Sequence, residues 1–273
     1  MTPAAPETIA PGVLRLTAPN PGPMTGPGTN SYVVGTGPCV IVDPGVDDDT
    51  HLEALVAAAP GAIEAVLVTH AHPDHTGGAR RLAARLGVPV RGCDLALAQP
   101  YDPDHRVDAP LADGDVLDLG AVTLETVHTP GHAADHLCFF AREARLLLAG
   151  DTVMADVTVV ILPPDGSMSD YLASIARLQA MPIDAIAPGH GRRLDEPAAT
   201  LAHIVAHREQ REAQVRDALA AGPTTARAIA ARLYPDLDPR LTGMAATQVE
   251  AHLIRLAENG EAARDGESWR AGN

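Results

Sequence analysis

Short apolar runs alternate with segments of helical period through most of the chain. Ser31–Val34 and Val40–Val42 predict two strands of a hairpin that turns at Gly35–Pro38. Asp49–Ala59 predicts a short helix stopped by Pro60-Gly61, and Ala65–Val68 a buried strand running straight into Thr69-His70. Gly77–Leu86 has helical spacing and closes on Gly87, and Val88–Arg91 is again strand-like. An Asp-Gly turn sits inside Leu111–Leu119. Val122, Leu124 and Thr126 then alternate with Thr123, Glu125 and Val127, the period of a half-buried strand. Leu137–Ala141 and Arg145–Ala149 predict another hairpin, Ser169–Leu178 an amphipathic helix and Ala185–Ala187 a last short strand. Strands that first meander and then alternate with helices predict an α/β fold of two mixed sheets faced by helices, an αββα sandwich.

The pattern changes near Leu201. A charged helix runs to Leu219 and breaks at Gly222-Pro223. Thr224 or Thr225 caps a second helix ending at Leu233. A third spans Thr242–Glu258, and Glu261–Arg264, Asp265-Gly266 and Glu267–Arg270 predict a small hairpin. Three helices followed by a hairpin outline a winged helix. The expected division is residues 1–200 for the sandwich and residues 201–273 for the winged-helix-like domain.

Composition narrows the function classes. With 46% hydrophobic and 20% charged residues among 273, the chain is globular. Its formal charge of −15 opposes general binding to a nucleic-acid backbone. The segment from Arg208 to Asn273 carries nine Arg against ten acidic residues, so the winged helix resembles a packing or dimerisation module, and homo-oligomers through it are an expectation. Trp269 reads as a core anchor. Cys39, Cys93 and Cys138 are far apart and odd in number, which fits buried small hydrophobes in a reducing compartment. No export signal and no apolar run near the roughly 20 residues needed to cross a bilayer is visible, so the expected location is cytoplasmic.

The chemistry is concentrated in Thr69-His70-Ala71-His72-Pro73-Asp74-His75, with three His and one Asp in six residues after a buried strand. Neutral imidazole nitrogens mixed with a hard carboxylate oxygen suit zinc, iron or manganese. His132 in Thr129-Pro130-Gly131-His132, Asp151 in Ala149-Gly150-Asp151 and His190 in Pro188-Gly189-His190 repeat the arrangement, each with a glycine just before it.

These motifs resemble the metallo-β-lactamase superfamily, in the expected order over the first 200 residues. The resemblance implies that His70, His72 and His132 hold a first metal and Asp74, His75 and His190 a second, with Asp151 bridging. It implies two divalent ions, zinc by expectation with manganese or iron as alternatives, and a shared hydroxide as nucleophile. Asp74 would also orient that water or pass on its proton. Asp43 resembles the family's structural aspartate beneath the site. His136 either contacts substrate, supports the site from behind, or is a buried histidine bonded to backbone. The other His residues read as structural or solvated.

Asn20–Thr25, Gly28–Tyr32, His132 with Asp135-His136, Pro188–Gly191 and the C-terminal region resemble in particular the lactamase-beta-like protein 2 group. That group includes a single-strand RNA endonuclease and relatives acting on thioesters. Aspartate at position 151 departs from lactamase subclasses that use cysteine or serine there. The 38 residues between Asp151 and His190 are too few for the cap domain inserted in RNA-processing members. The expected function is hydrolysis of a small acyl, ester or thioester substrate. The alternatives are single-stranded RNA cleavage, a weak β-lactamase side activity, and a non-catalytic winged-helix binding protein. Asn20–Asn30 is read as a lid over the metals or a Pro-rich surface turn, and Leu162–Gly166 as a rigid loop.

Overall fold

The structure is a computed structural model that describes residues 5–95, 102, 105–155 and 157–272. In chain order the elements are strands β1 (Glu7–Ala10), β2 (Val13–Thr17), β3 (Asn30–Gly35) and β4 (Cys39–Val42), helix α1 (Asp49–Ala58), β5 (Ile63–Leu67), the one-turn α2 (Pro73–Thr76), and α3 (Ala79–Leu86). Next come β6 (Val90–Gly92), β7 (Ala109–Pro110), β8 (Val116–Asp118), β9 (Thr123–His128), β10 (Leu137–Ala141), β11 (Leu146–Gly150), α4 (Met168–Gln179) and β12 (Ala185–Pro188). The C-terminal elements are α5 (Pro197–Ala220), β13 (Thr224–Thr225), α6 (Ala226–Leu233), α7 (Thr242–Glu258), β14 (Ala262–Asp265) and β15 (Ser268–Ala271).

Two compact units can be distinguished by their internal contacts. The first takes in the chain up to Thr129 with Asp135–Val159 and Ala180–Pro197; the second takes in Pro130–Ala134, Val160–Gln179 and Ala198–Asn273.

The first unit holds a seven-stranded sheet in the order β1 to β7 and a five-stranded sheet in the order β12-β11-β10-β9-β8. Both are mixed. Pairing is antiparallel from β1 to β4 and parallel from β4 to β7, and β11 pairs parallel with β12 in an otherwise antiparallel sheet. Alternate residues of both sheets interdigitate as one core: Tyr32, Val34, Val40 and Leu67 from one, Leu124, Phe139, Leu146 and Leu148 from the other. On its other face the larger sheet buries Val33, Ile41, Val66 and Val90 against Leu52 and Leu55 of α1 and Leu82 of α3. The Asp113-Gly114 turn crosses between sheets, since β7 pairs in the first and β8 in the second.

One hairpin escaped the sequence pattern. β1 and β2 pair around Pro11-Gly12 and bury Ile9, Val13 and Leu16. Pro and Gly density hides it, although the Pro-Gly pair between two apolar stretches was the signal.

The second unit has its own core. Val215 and Leu219 of α5, Ile229 of α6, Val249, Leu253 and Leu256 of α7 and Trp269 of β15 pack together. The three-stranded sheet β13-β15-β14 closes it. Trp269 is buried, with the Arg264 guanidinium over its ring. Helix α5 begins at Pro197, earlier than the charge pattern indicates. Among the described residues no helix is long and apolar enough to cross a membrane.

Candidate metal centre

Asp43, His70 and its neighbours, Asp151 and His190 all follow the carboxyl ends of strands, namely β4, β5, β11 and β12. Those ends of parallel strands are where open α/β sheets leave a crevice for ligands.

Asp43 is the anchor. It is buried and has a φ of +47°, a backbone conformation that costs energy in a residue with a Cβ. Its Oδ1 accepts from the Thr69 backbone N–H at 2.8 Å. Its Oδ2 accepts from the Thr69 hydroxyl at 2.8 Å and from His75 Nδ1–H at 2.8 Å. The Thr69 proton is therefore used, so its oxygen accepts from His70 Nδ1–H at 3.0 Å. One carboxylate thus fixes the tautomers of two imidazoles and leaves both Nε2 atoms facing inward. His190 repeats the pattern, its Nδ1–H donating to Gly28 O at 3.2 Å.

The inward atoms converge. His75 Nε2 lies 3.4 Å from Asp151 Oδ1 and 3.6 Å from Asp74 Oδ2. His190 Nε2 lies 3.2 Å from Asp74 Oδ2 and 3.5 Å from Asp151 Oδ1. His70 Nε2 and His72 Nδ1 face each other at 2.8 Å. The ligand atoms of His70, His75 and Asp151 all lie within 4.8 Å of one another, and so do those of Asp74, His75 and His190. His75 Nε2 is fully buried and makes no hydrogen bond, an expense that a native site bears when a cation sits there. The donor set, imidazole nitrogen with carboxylate oxygen, fits a divalent metal.

Electrostatics agree. Burial disfavours the charge on Asp74, but protonated His75 and the hydrogen bond from His190 outweigh it and hold the carboxyl down at about 2. Burial likewise opposes ionised Asp151, yet the same two histidines keep it well below the usual range. His75 is pushed well above its ordinary value against burial by Asp151, Asp43 and Asp74. His190 rises against burial to about 9 through its bonds to Asp151 and Asp74. Carboxylates here hold protons on imidazoles that a cation would replace.

His136 is fully buried and its ring stacks on that of His70, with centroids 5.0 Å apart. Its Nε2 accepts from the Asp151 backbone N–H at 3.0 Å, so its proton sits on Nδ1, near the hydroxyls of Thr129 at 3.0 Å and Thr152 at 3.1 Å. Two glycines are required by close approach. A Cβ on Gly150 would lie 2.6 Å from His136 Nε2, and one on Gly189 would lie 2.4 Å from Asp151 Oδ1.

His132 is half-buried on the turn Pro130–Ala134, which belongs to the second unit. Its Nδ1–H donates to Val160 O at 2.7 Å, so Nε2 is the acceptor nitrogen of that tautomer.

Sequence reading missed the residues that hold His190. Asn30 Nδ2 donates to Pro188 O at 3.0 Å and Gly191 O at 2.8 Å, and Tyr32 Oη donates to Pro188 O at 2.6 Å. Thr29 bridges to His190 itself. A buried Asn and Tyr on an apolar strand were the available signal. The Asn20–Thr29 loop is closed on itself, with Gly22 and Gly26 paired and Asn20 Oδ1 accepting from Thr29 N at 2.9 Å.

This geometry meets an independent finding. Residues 24–190 match the family model "Metallo-beta-lactamase superfamily". The chain belongs to the metallo-beta-lactamase superfamily. Residues 225–269 match the beta-lactamase associated winged helix domain. The superfamily chain is similar to a beta-lactamase-like protein 2 homolog of Caenorhabditis elegans, 30% identical over 77% of this chain and 71% of that protein. It is similar to an atrochrysone carboxyl ACP thioesterase of Aspergillus fumigatus, 31% identical over 78% of this chain and 66% of that one. In fold it matches a metallo-beta-lactamase family protein of Thermus thermophilus, with a TM-score of 0.80 at 24% identity over 97% of this chain and all of that one. The chain is an enzyme of a metal-dependent hydrolase superfamily, and that superfamily binds divalent metals.

Proposed function

We propose that this protein is a dinuclear hydrolase of small acyl, ester or thioester substrates. The supporting observation is the convergence of Asp74, His75, Asp151 and His190, with His70 and His72 beside them, and with the outer nitrogens of His70, His75 and His190 tied so that their Nε2 atoms face inward. His70, His72 and His132 would hold one cation and Asp74, His75 and His190 the other, with Asp151 between them. When bound, such a pair supplies Lewis acidity and a water acidic enough to ionise near neutral pH. The chain's residues do the rest. Asp43 holds His70 and His75 in the ligating tautomer, and His136 fixes the turn that presents Asp151. Asp74, the more exposed carboxylate, is placed to take a proton from water entering the site and pass it outward.

The thioesterase name of one relative supports an acyl substrate. The charge of −15 also favours a small molecule over RNA. The test is a panel of esters, thioesters, β-lactams and single-stranded RNA, run on zinc-, manganese- and iron-loaded protein. The expectation is metal-dependent turnover of an ester or thioester that Asp74→Ala lowers at least about a hundredfold, the usual contribution of a positioned proton carrier. Preferential cleavage of RNA, or no turnover of any substrate by protein with both metals bound, would overturn it.

A further inference from the structure

The second unit contains more than a winged helix: it also contains the turn bearing His132. Helix α4 and Ser167, the residue before it, hold that turn at several points. The Ser167 N–H donates to Gly131 O at 2.9 Å, and Ser174 Oγ donates to Pro130 O at 2.8 Å. Gly131, at φ +140°, lies so close that a Cβ there would come within 2.3 Å of Tyr171 Cα. The backbone of His132 is therefore fixed by α4.

Its ring is oriented by a different element. The acceptor of His132 Nδ1–H is the carbonyl of Val160, and the N–H of that same peptide group belongs to Ile161. That N–H donates at 2.7 Å to Oε1 of Gln248, a side chain of α7 in the winged helix. Ile161 is fully buried, so water cannot substitute for the amide. A trans peptide unit is planar, with its C=O and N–H pointing oppositely, so anchoring one end restrains the other. Hydrogen bonds in such a chain also polarise one another. An acceptor at the N–H makes the carbonyl a better acceptor, which tightens its hold on His132 Nδ1–H.

We infer that Gln248 is a positioning residue for His132, acting through the 160–161 peptide, so that the winged helix sets the orientation of one candidate ligand. The inference rests on the proposed role of His132 as a ligand.

The test uses the full chain loaded with cobalt, and chelator competition to measure each equivalent. Gln248→Met keeps the volume and removes the acceptor, whereas Gln248→Glu keeps an acceptor. The expected result is that Gln248→Met binds one equivalent about tenfold more weakly, at the low end for partners behind a ligand, while the other is unchanged. Its cobalt absorption shifts, and Gln248→Glu restores both readings. A folded Gln248→Met with both affinities and the spectrum of the parent overturns the inference. If that variant does not fold, Gln248→Ala, which removes the same acceptor without the bulk of methionine, carries the test with the same two outcomes. His132→Ala separates the two ideas. Retention of both equivalents there refutes the ligand role itself. Loss of one there, with no effect of Gln248→Met, refutes only the part played by Gln248.

Discussion

The Asp151 backbone N–H donates to His136 Nε2 at 3.0 Å, so the second histidine of the His132–His136 pair acts on the main chain of a candidate ligand. Gly150 makes this approach feasible, since no side chain would fit between it and His136. Replacing His136 with Phe leaves a buried N–H without its acceptor. The expected loss of stability is about 1–3 kcal/mol, read from denaturant unfolding of the metal-free protein. Metal affinity should fall with it.

Asp43→Asn tests the anchor below the histidines. An amide cannot accept from the Thr69 N–H, the Thr69 hydroxyl and His75 Nδ1–H as the carboxylate does. Metal affinity measured by chelator competition should drop about 10–100-fold, the usual effect of losing such a partner, with the fold retained. Unchanged affinity would show that His70 and His75 need no support.

Metal uptake should release protons. In the metal-free protein His190 titrates at about 9 and His75 stays protonated above its ordinary range. Raised values mean that the ion pairs with Asp74 and Asp151 stabilise the metal-free fold fully below about pH 6.5. That stability is lost as pH rises through about 9. Cations must displace these protons at neutral pH, so affinity should rise with pH up to about 9. Calorimetry in buffers of different ionisation enthalpy measures the protons released per metal, and zero release would contradict the account.

His51 gives the opposite sign. It is buried, its Nε2 lies 2.8 Å from the Ser31 hydroxyl, and burial lowers its value to about 4 despite nearby Asp48. The unfolded chain binds the proton more readily between about pH 6.5 and 4, so stability falls as pH drops through that window. The contribution is on the order of 1–3 kcal/mol. His51→Asn should flatten the dependence of unfolding free energy on pH between 4 and 6.5 relative to the parent.

Much of this was legible in the sequence because strand ends and ligands coincide. Leu146–Leu148 is apolar and Gly150-Asp151 follows; Ala185–Ala187 is apolar and Gly189-His190 follows. What could not be read was pairing at a distance. Nothing near Asn30 says that its amide will meet the carbonyls of Pro188 and Gly191, 158 and 161 residues away. Nor does Gln248, on a helix that reads as winged-helix core, announce its bond to Ile161. Such contacts depend on how elements stack, and local periodicity carries no record of that. The β1–β2 hairpin was hidden differently, by turn-forming residues that outnumber the few apolar positions the strands bury.

The central claim is that these side chains enclose a pair of cations. Anomalous diffraction from crystals of the zinc-loaded protein tests it most directly. Two peaks are expected about 3.5–4 Å apart, one in contact with Asp74, His75 and His190, the other with His70 and His72, and Asp151 touching both. A map with no peak among these residues, or a single peak in contact with none of Asp74, His75 and His190, would contradict it.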